Sequence, residues 1–384
     1  MRIGIITYWW STDNYGQLLQ CWALQYYLKQ MGYEPFLIRY THVCRPAWER
    51  WMRRVAKAVL VYPLIRYWKN RGERKLMEEI ERKNTARRFD DFRNQYIVST
   101  PRCYHTLGQL QSAPPQADVY MVGSDQVWSP VLLRFRGNLG FWLDFGLQTA
   151  RRISYAASFG TDRCPDGLKP ILHQQLKCFD AISVREATGI DICREAGREA
   201  THVVDPTLLL TRRDYVPFIA DIPVVKQPYV FIYSINIAHQ DDVRFAELQT
   251  LCKANGCSIV VTTSSGYMPG RELFEGVVYQ YATIPQWLTL IAYAQLVVTT
   301  SFHGVVFCIQ LHRHFVYFPL AGKYAGGNSR VTNLLERIGL SDCIYREQGD
   351  YERVESIEID WEQVDEQLKE MRRESEEFLK EALR

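Results

Sequence analysis

The chain has 384 residues, which exceeds one ordinary hydrophobic core and fits two domains of the usual size. Hydrophobic residues make up 47% of the chain and charged residues 23%, a balance that excludes an intrinsically disordered protein. The net charge of +3 is too small to indicate nucleic-acid binding, and no apolar run is long enough to span a bilayer.

The first segment predicts a strand, a helix and a second strand. Residues 3–9 form an apolar run of strand length, and the turn-rich stretch 11–17 follows it. Within 18–33 the apolar positions recur every three or four residues, as in a helix, and Gly32 ends it before another apolar run at 34–40. This pattern indicates the first βαβ unit of a doubly wound sheet, with a polar loop at the carboxyl end of the first strand.

Four further apolar runs indicate the remaining strands of the same sheet. They lie at 117–123, 151–160, 179–186 and 202–210 and are separated by helical or turn-rich stretches. We therefore expect an N-terminal Rossmann-like domain at residues 1–210.

A second alternating series follows. Strands are predicted at 229–235, 257–263, 296–300 and 314–319, and helices at 241–255, at 285–294, from residue 303 and at 328–340. This series indicates a C-terminal Rossmann-like domain at 211–360, followed by an amphipathic helix at 361–384. The expected fold class is α/β, with two doubly wound domains facing a cleft.

A basic insertion interrupts the first domain at 45–93. It holds fifteen Lys/Arg against seven Asp/Glu, and Trp48 and Trp51 share one helical face of its first half. A basic amphipathic helix with tryptophans is typical of contact with an anionic membrane, here through residues 45–71. The alternative is a helical insertion that packs on the protein with its basic side in water.

The ten cysteines form neither a CxxC motif nor a Cys/His cluster at metal-ligand spacing. The apolar start of the chain carries no basic leader and no small-residue cleavage site. We therefore expect a cytoplasmic location and no bound metal.

The chain also lacks the glycine-rich dinucleotide fingerprint, the GxSxG elbow and the Walker A loop, which argues against standard dehydrogenases, hydrolases and kinases.

The stretch LVVTTSFHG predicts a strand that passes directly into a helix. Backbone N–H groups at a helix start lack internal partners, and the helix dipole is positive there. Gly304 would allow close approach of a ligand, Ser301 adds a hydroxyl, and His303 could donate a hydrogen bond or a proton. The pattern indicates a phosphate or carboxylate site. The alternative is that Ser301 only caps the helix and that His303 is structural.

The stretch VGSDQVW places Ser124, Asp125 and Gln126 at the end of another strand, where doubly wound sheets bind ligands. The alternative for Asp125 is a helix cap.

Arg185 also ends a strand, where its guanidinium could hold a carboxylate or phosphate in bidentate fashion. The alternative for Arg185 is an ordinary ion pair with Glu186 or another acid.

The glycine-rich loop GKYAGGNSR carries Lys323, Asn328 and Arg330 before a predicted helix. Two cations on such a loop suit an anionic ligand that must be enclosed. The alternative is a solvated loop without a ligand.

Taken together, these stretches resemble the polysaccharide pyruvyl transferase family. The similarity runs in the family's order through the opening strand–loop–helix, GSDQVW, ISYAASFG, SVREATGIDICREAG, VVDPTLLL, TTSFHGVVFCIQL and NSRVTNLL. It implies a GT-B-like fold with the active site in the cleft. It also implies transfer of the pyruvyl group of phosphoenolpyruvate to two hydroxyls of a sugar, which forms a cyclic ketal and releases phosphate without a further cofactor.

The resemblance implies that Arg185 and His303 hold phosphoenolpyruvate. Some relatives carry a basic residue two positions before this histidine, where this chain has Ser301. Lys323 or Arg330 is therefore expected to supply the missing positive charge, so the expected donor site is Arg185, Ser301, His303, Gly304, Lys323, Asn328 and Arg330.

His303 and Asp125 are the expected acid and base, in an order that the residues leave open. The acceptor sugar, in a polymer or its lipid-linked precursor, is expected to meet hydrogen-bonding groups and an aromatic platform formed by Asn14, Tyr15, Gly16, Gln17, Ser124 and Gln126. Two alternatives to this function are a GT-B-type glycosyltransferase that uses a nucleotide sugar and a non-catalytic protein that binds glycan or membrane.

Overall fold

The computed structural model describes residues 1–41, 78–133, 136–264 and 272–384. The predicted membrane-contacting residues 45–71 lie outside the described residues. No described helix combines the length and apolar character needed to cross a membrane.

The first domain is built on a six-stranded parallel sheet with the order β2-β1-β3-β4-β5-β6. The strands are β1 (Arg2–Ile6), β2 (Glu34–Leu37), β3 (Val119–Val122), β4 (Arg151–Ala157), β5 (Ala181–Val184) and β6 (Thr201–His202). In the register of this sheet, Ile3 of the central β1 lies opposite Pro35 on one side and Val119 on the other.

The second domain is built on a five-stranded parallel sheet with the order β11-β10-β7-β8-β9. Its strands are β7 (Tyr229–Ser234), β8 (Ser258–Thr263), β9 (Val278–Tyr279), β10 (Leu296–Thr299) and β11 (Phe315–Tyr317). Both sheets read as continuous apolar runs because helices cover both of their faces.

Helices connect these strands. They are α1 (Tyr15–Gln30), α2 (Phe89–Tyr96), α3 (Leu107–Ser112), α4 (Pro130–Leu133), α5 (Lys169–Leu176), α6 (Ala187–Glu195), α7 (Pro206–Leu209), α8 (Arg212–Tyr215), α9 (Phe245–Ala254), α10 (Ile284–Tyr293), α11 (Phe302–Gln310), α12 (Ser329–Arg337), α13 (Asp350–Ser356) and α14 (Trp361–Ala382). Residues 78–87 are helical as well.

The strand order places a crevice in each domain. Strand order reverses between β1 and β3 in the first sheet and between β7 and β10 in the second, and ligands of such sheets bind outside the carboxyl ends at these points. The residues that follow these four strands face one another across the interface between the domains. The predicted α/β class with two Rossmann-like domains facing a cleft in a GT-B-like arrangement is therefore confirmed. The exact domain boundaries at residues 210 and 360 stay predictions.

Several element boundaries differ from those expected. Helix α1 begins at Tyr15, three residues earlier than predicted, because the Asn14 side chain caps it by accepting from the Gln17 N–H (3.2 Å). Residues 206–209 form α7 rather than the end of a strand, since Asp205 caps them and Pro206 occupies the first helical position. The two-residue strand β9 was not predicted, because a pair of residues is too short to show a periodicity.

The terminal helix α14 packs against the first domain. Ser375 Oγ accepts a hydrogen bond from the Val204 N–H (2.9 Å), and the rings of Phe378 and Tyr155 lie 6.5 Å apart. The chain thus crosses from the first domain to the second and returns, so the two domains are held by more than a single linker.

The described end of the basic insertion also joins the domains. The buried Lys83 lies 2.7 Å from Glu79 and 3.1 Å from Glu272, and Arg87 donates to the Thr263 carbonyl of the second domain. For this part of the insertion, the structure supports the alternative in which it packs on the protein.

Candidate active site

A cavity of about 200 Å³ lies where the carboxyl ends of the two sheets meet. It gathers seven residues that were predicted as site residues from separate motifs: Asn14, Gln17, Asp125, Gln126, Ser301, His303 and Arg330. Asn236, which follows β7, also lines it and was missed because no motif accompanies it. Larger grooves of about 770 and 790 Å³ lie near Trp22 and Arg212, but they contain none of the predicted residues. We therefore take the interdomain cavity as the candidate active site.

The start of helix α11 forms one wall of the cavity. Ser301 is its N-cap, and its hydroxyl accepts from the Gly304 N–H at 3.4 Å, so the predicted capping role is present at the cavity wall. Gly304 itself does not line the cavity. A Cβ at this position would collide with Thr299 Oγ1, so the glycine allows the helix to pack on β10 rather than a ligand to approach. The expected role of Gly304 is corrected accordingly.

His303 packs against α1 of the other domain. Its ring lies so close to Gly16 that a Cβ at position 16 would overlap ring atoms Cγ and Nδ1. Nε2 of His303 is buried and finds no hydrogen-bond partner among the described residues, and it lies 3.7 Å from Asp205 Oδ1. Gly16 is therefore a residue that positions the histidine and does not itself line the cavity.

This contact gives a testable prediction for Gly16→Ala. The added methyl group must displace the His303 ring, and displacement of a catalytic group by about 1 Å lowers rates by about 10²-fold. We expect a loss of that size in kcat. Gly167→Ala is the control, because a Cβ at Gly167 meets nothing within 4 Å. Equal rates for the two variants would show that the position of His303 does not matter.

Arg185 lies one layer beneath the cavity. Its Nη1 donates to Asp205 Oδ2 (2.9 Å), its Nη2 lies 3.7 Å from Asp125 Oδ1, and its guanidinium carbon lies 4.7 Å from the centroid of the Phe302 ring. Nε and Nη2 are buried without a hydrogen-bond partner in the described chain. Because buried guanidinium groups are ordinarily satisfied, these two nitrogens mark a place where an anion would be favourable.

The predicted alternative for Arg185, an ion pair with Glu186 or another acid, is present in the structure, but the partner is Asp205 (2.9 Å) rather than Glu186. Glu186 Oε1 instead accepts from Ser158 Oγ (3.0 Å) and from the N–H groups of Phe159 (2.7 Å) and Gly160 (3.2 Å). Burial alone would lower the pKa of Arg185, but Asp205, Asp125 and Glu186 outweigh it and raise the pKa. Arg185 is thus a permanent cation among carboxylates.

Asp205 was not predicted as a site residue. It is fully buried, and its carboxylate accepts from Ser124 Oγ (2.8 Å), Arg185 Nη1 (2.9 Å), Thr207 N (3.0 Å) and Thr207 Oγ1 (2.7 Å). Burial would raise its pKa, but His303, Arg185 and Thr207 outweigh burial and hold the pKa far below the usual range. The Asp-Pro pair at the predicted exit of a strand was the only local signal, and it indicates a helix cap rather than a site.

Arg330 reaches the cavity from helix α12 of the second domain. With its amide oxygen turned toward Arg330, Gln126 of the first domain accepts from both terminal nitrogens, at 3.0 and 2.9 Å. Burial and the nearby charge of Arg185 lower the pKa of Arg330. The two guanidinium groups repel each other, and an anion bound between them would relieve this repulsion.

Two predicted residues have other roles. Ser124 is fully buried, and its hydroxyl shares its single hydrogen between Ala156 O (3.0 Å) and Asp205 Oδ2 (2.8 Å), so it does not contact an acceptor sugar. Asn328 accepts from Tyr317 OH (3.0 Å) and Leu320 N (2.9 Å), which shapes the loop before α12. The prediction for Lys323 concerns a side chain outside the described part of the structure.

Tyr15 is not an aromatic platform for a sugar. It is fully buried, stacks on Trp287 of the second domain (ring centroids 5.0 Å apart) and donates its hydroxyl to Ala282 O (2.6 Å). Burial raises its pKa well above the usual range, so it stays a neutral phenol. The apolar contact across the domain interface explains why a tyrosine in a polar loop is buried.

Among the described residues, no group of three or more His, Cys, Asp or Glu side chains is arranged to hold a metal. What the cavity offers is Arg330, with Arg185 one layer beneath it, a helix start, an imidazole and the carboxylate of Asp125. This set can bind a small, multiply charged anion and transfer protons beside it.

The chain is similar to known proteins in sequence and in fold. A family model described as polysaccharide pyruvyl transferase matches residues 14–320. No curated protein matches the chain. Among solved structures, the chain is similar to UDP-GlcNAc 2-epimerase from Neisseria meningitidis bound to UDP-GlcNAc, with 9% identity, coverage of 98% of this chain and 94% of that one, and a TM-score of 0.46. It is also similar to CalG4, the calicheamicin glycosyltransferase, with 12% identity, coverage of 98% and 94%, and a TM-score of 0.40.

Proposed function

Because the chain belongs to the polysaccharide pyruvyl transferase family, we propose that it transfers the pyruvyl group of phosphoenolpyruvate to two hydroxyls of a sugar in a polysaccharide or its lipid-linked precursor. The product is a cyclic ketal, and phosphate is released. The observation that carries this proposal is the presence of Arg330 and His303 at an interdomain cavity, with the charge of Arg185 one layer beneath.

Phosphoenolpyruvate fits the charges of this cavity. It carries a phosphate and a carboxylate, so it needs two groups of hydrogen-bond donors. Arg330 and the start of helix α11 would hold one anion directly. Arg185, whose Nη2 lies 3.7 Å from the Asp125 carboxylate, would add positive potential from below and contact the ligand when that carboxylate turns away.

The size of the cavity favours a small donor. Ligand pockets for drug-sized molecules span roughly 300–1,000 Å³, and this cavity of about 200 Å³ falls below that range. Phosphoenolpyruvate, which is much smaller than a nucleotide sugar, suits a cavity of this size.

The proposed reaction balances with three proton transfers, after which exchange with water removes the proton from Asp125 and restores the one on His303. His303 delivers a proton to the methylene carbon of phosphoenolpyruvate, which becomes a methyl group and leaves an oxocarbenium-like centre on the adjacent carbon. Asp125 takes the proton of the first sugar hydroxyl as its oxygen bonds to that carbon. The carbon–phosphate oxygen bond then breaks, the second hydroxyl closes the ketal, and its proton leaves with the phosphate. The arginines stabilise the charge on the departing phosphate.

The test is direct. The purified protein would be incubated with phosphoenolpyruvate and acceptors ending in galactose, glucose, mannose or N-acetylhexosamines, with phosphate release and a pyruvyl mass increment as readouts. Thermal stability would be measured with phosphoenolpyruvate, inorganic phosphate and nucleotide sugars. We expect both products with one acceptor and a rise in Tm with phosphoenolpyruvate, which is lost in Arg330→Gln.

Two results would overturn the proposal. If phosphoenolpyruvate neither reacts nor raises Tm, the anion site does not serve this donor. If only nucleotide sugars raise Tm, a glycosyltransferase replaces the proposed activity.

A further inference from the structure

The buried carboxylate of Asp205 lies at the centre of the polar groups beneath the cavity. One oxygen, Oδ2, accepts from Arg185 and Ser124, and the other, Oδ1, accepts from the N–H and hydroxyl of Thr207. Nε2 of His303 lies 3.7 Å from Oδ1. Asp205 thus contacts Arg185 and lies beside His303, the two residues that have the main roles in the proposed reaction.

The surroundings of His303 leave little choice of ring orientation. One edge of the ring, with Cγ and Nδ1, packs on Gly16 of the first domain. The opposite nitrogen, Nε2, is buried without a hydrogen-bond partner in the described chain, and Asp205 Oδ1 lies 3.7 Å from it. Burial of an unsatisfied N–H is costly, so small shifts that bring Nε2–H toward this oxygen are favourable.

We propose that Asp205 is a positioning residue: its carboxylate keeps the hydrogen of His303 on Nε2, so that Nδ1 is the nitrogen that exchanges a proton with the substrate. This inference rests on the proposed function for its catalytic meaning. In the proton-donating state the ring carries hydrogens on both nitrogens. The Nδ1 proton passes to the methylene carbon of the donor, and the Nε2–H remains directed at Asp205.

Asp205→Asn separates this role from simple packing, because the two side chains have the same shape. The asparagine oxygen must face Arg185, since an NH₂ group there would oppose a guanidinium donor. The NH₂ group then faces Thr207 and Nε2 of His303, and a donor at that place requires a lone pair on Nε2. The variant is therefore expected to move the hydrogen to Nδ1, the wrong-tautomer effect known for carboxylates that orient catalytic imidazoles.

The experiment is ¹⁵N NMR of protein labelled at histidine, which distinguishes protonated from unprotonated ring nitrogens. The chain has eight histidines, and the spectrum of His303→Gln identifies the signals of His303 by subtraction. We expect Nε2–H in the wild-type protein at a pH where the ring is neutral, and Nδ1–H in Asp205→Asn. With phosphoenolpyruvate and acceptor, kcat should fall by at least about 10²-fold, the cost of a misplaced catalytic group.

Asp214→Asn is the matched control. Asp214 also accepts from a backbone N–H and a threonine hydroxyl, both of Thr211, but at an exposed helix start. This variant should leave the tautomer and the rate unchanged. An Nδ1–H tautomer in the wild-type protein would overturn the inference even if Asp205→Asn failed to fold, as would an unchanged tautomer in a folded variant. If Asp205→Asn switches the tautomer but the wild-type protein transfers no pyruvyl group, the proposed function is contradicted instead.

Discussion

Replacement of Arg185 by alanine is expected to lower the free energy of unfolding by about 3–5 kcal/mol, because it leaves a buried carboxylate without its cationic partner. Arg185 and Asp205 are both almost fully buried, and their side chains meet at 2.9 Å. The cost arises from the uncompensated charge of Asp205 rather than from the lost volume alone. Urea denaturation monitored by circular dichroism would measure it.

Two comparisons separate the charge effect from packing. Arg185→Met combined with Asp205→Leu removes both charges and should be more stable than Arg185→Ala, since replacement of a whole buried ion pair is often neutral or stabilising. Arg373→Ala breaks an exposed ion pair with Glu370 and should cost at most about 1 kcal/mol. If Arg185→Ala costs no more than Arg373→Ala, the buried pair does not stabilise the fold as described.

The loss of unfolding free energy in Arg185→Ala is expected to depend on pH. The pKa of Asp205 is lowered in the folded protein, because His303, Arg185 and Thr207 outweigh burial. The stabilisation is therefore fully present above the unfolded pKa of about 3.9 and is lost as the pH falls below it. The difference in unfolding free energy between wild type and Arg185→Ala should shrink as the pH falls below about 4. A difference that grows on acidification would contradict this assignment.

Replacement of His303 by glutamine is expected to lower kcat for pyruvyl transfer by about 10³–10⁴-fold, the upper range for proton transfer by a positioned side chain. The size follows from His303 being the one imidazole among the described residues of the cavity wall, where Arg330 cannot donate a proton at neutral pH. Glutamine keeps much of the shape, so the fold and the binding of phosphoenolpyruvate should change little. Rapid-quench measurement of phosphate release would give kcat directly.

His312→Gln is the control for this prediction. His312 lies at the end of α11, stacks on Trp361 with ring centroids 4.9 Å apart and is 3.1 Å from Asp365. It belongs to the same helix region as His303 but lies away from the cavity, so its replacement should leave kcat within about twofold. If His303→Gln keeps more than a tenth of the wild-type rate, His303 is not the proton donor.

The order of strands and helices could be predicted because it depends on local patterns. Buried parallel strands produce short apolar runs, and helices repeat their apolar positions every three or four residues. Helix starts were placed less well, as at Tyr15, because capping by Asn14 decides them. The segment at 206–209 was missed as a helix for the same reason, since Asp205 caps it.

By itself, the sequence determined the fold class, the family and the strand ends that carry Asp125 and His303, because parallel strands bring their polar exits to one edge. Only the tertiary structure decided which of these groups share a cavity. Contacts between distant segments buried Tyr15 against Trp287 and brought Asp205 to Arg185 and His303. A buried aromatic or a buried charge is defined by its partners across the fold, and no spacing along the chain encodes them.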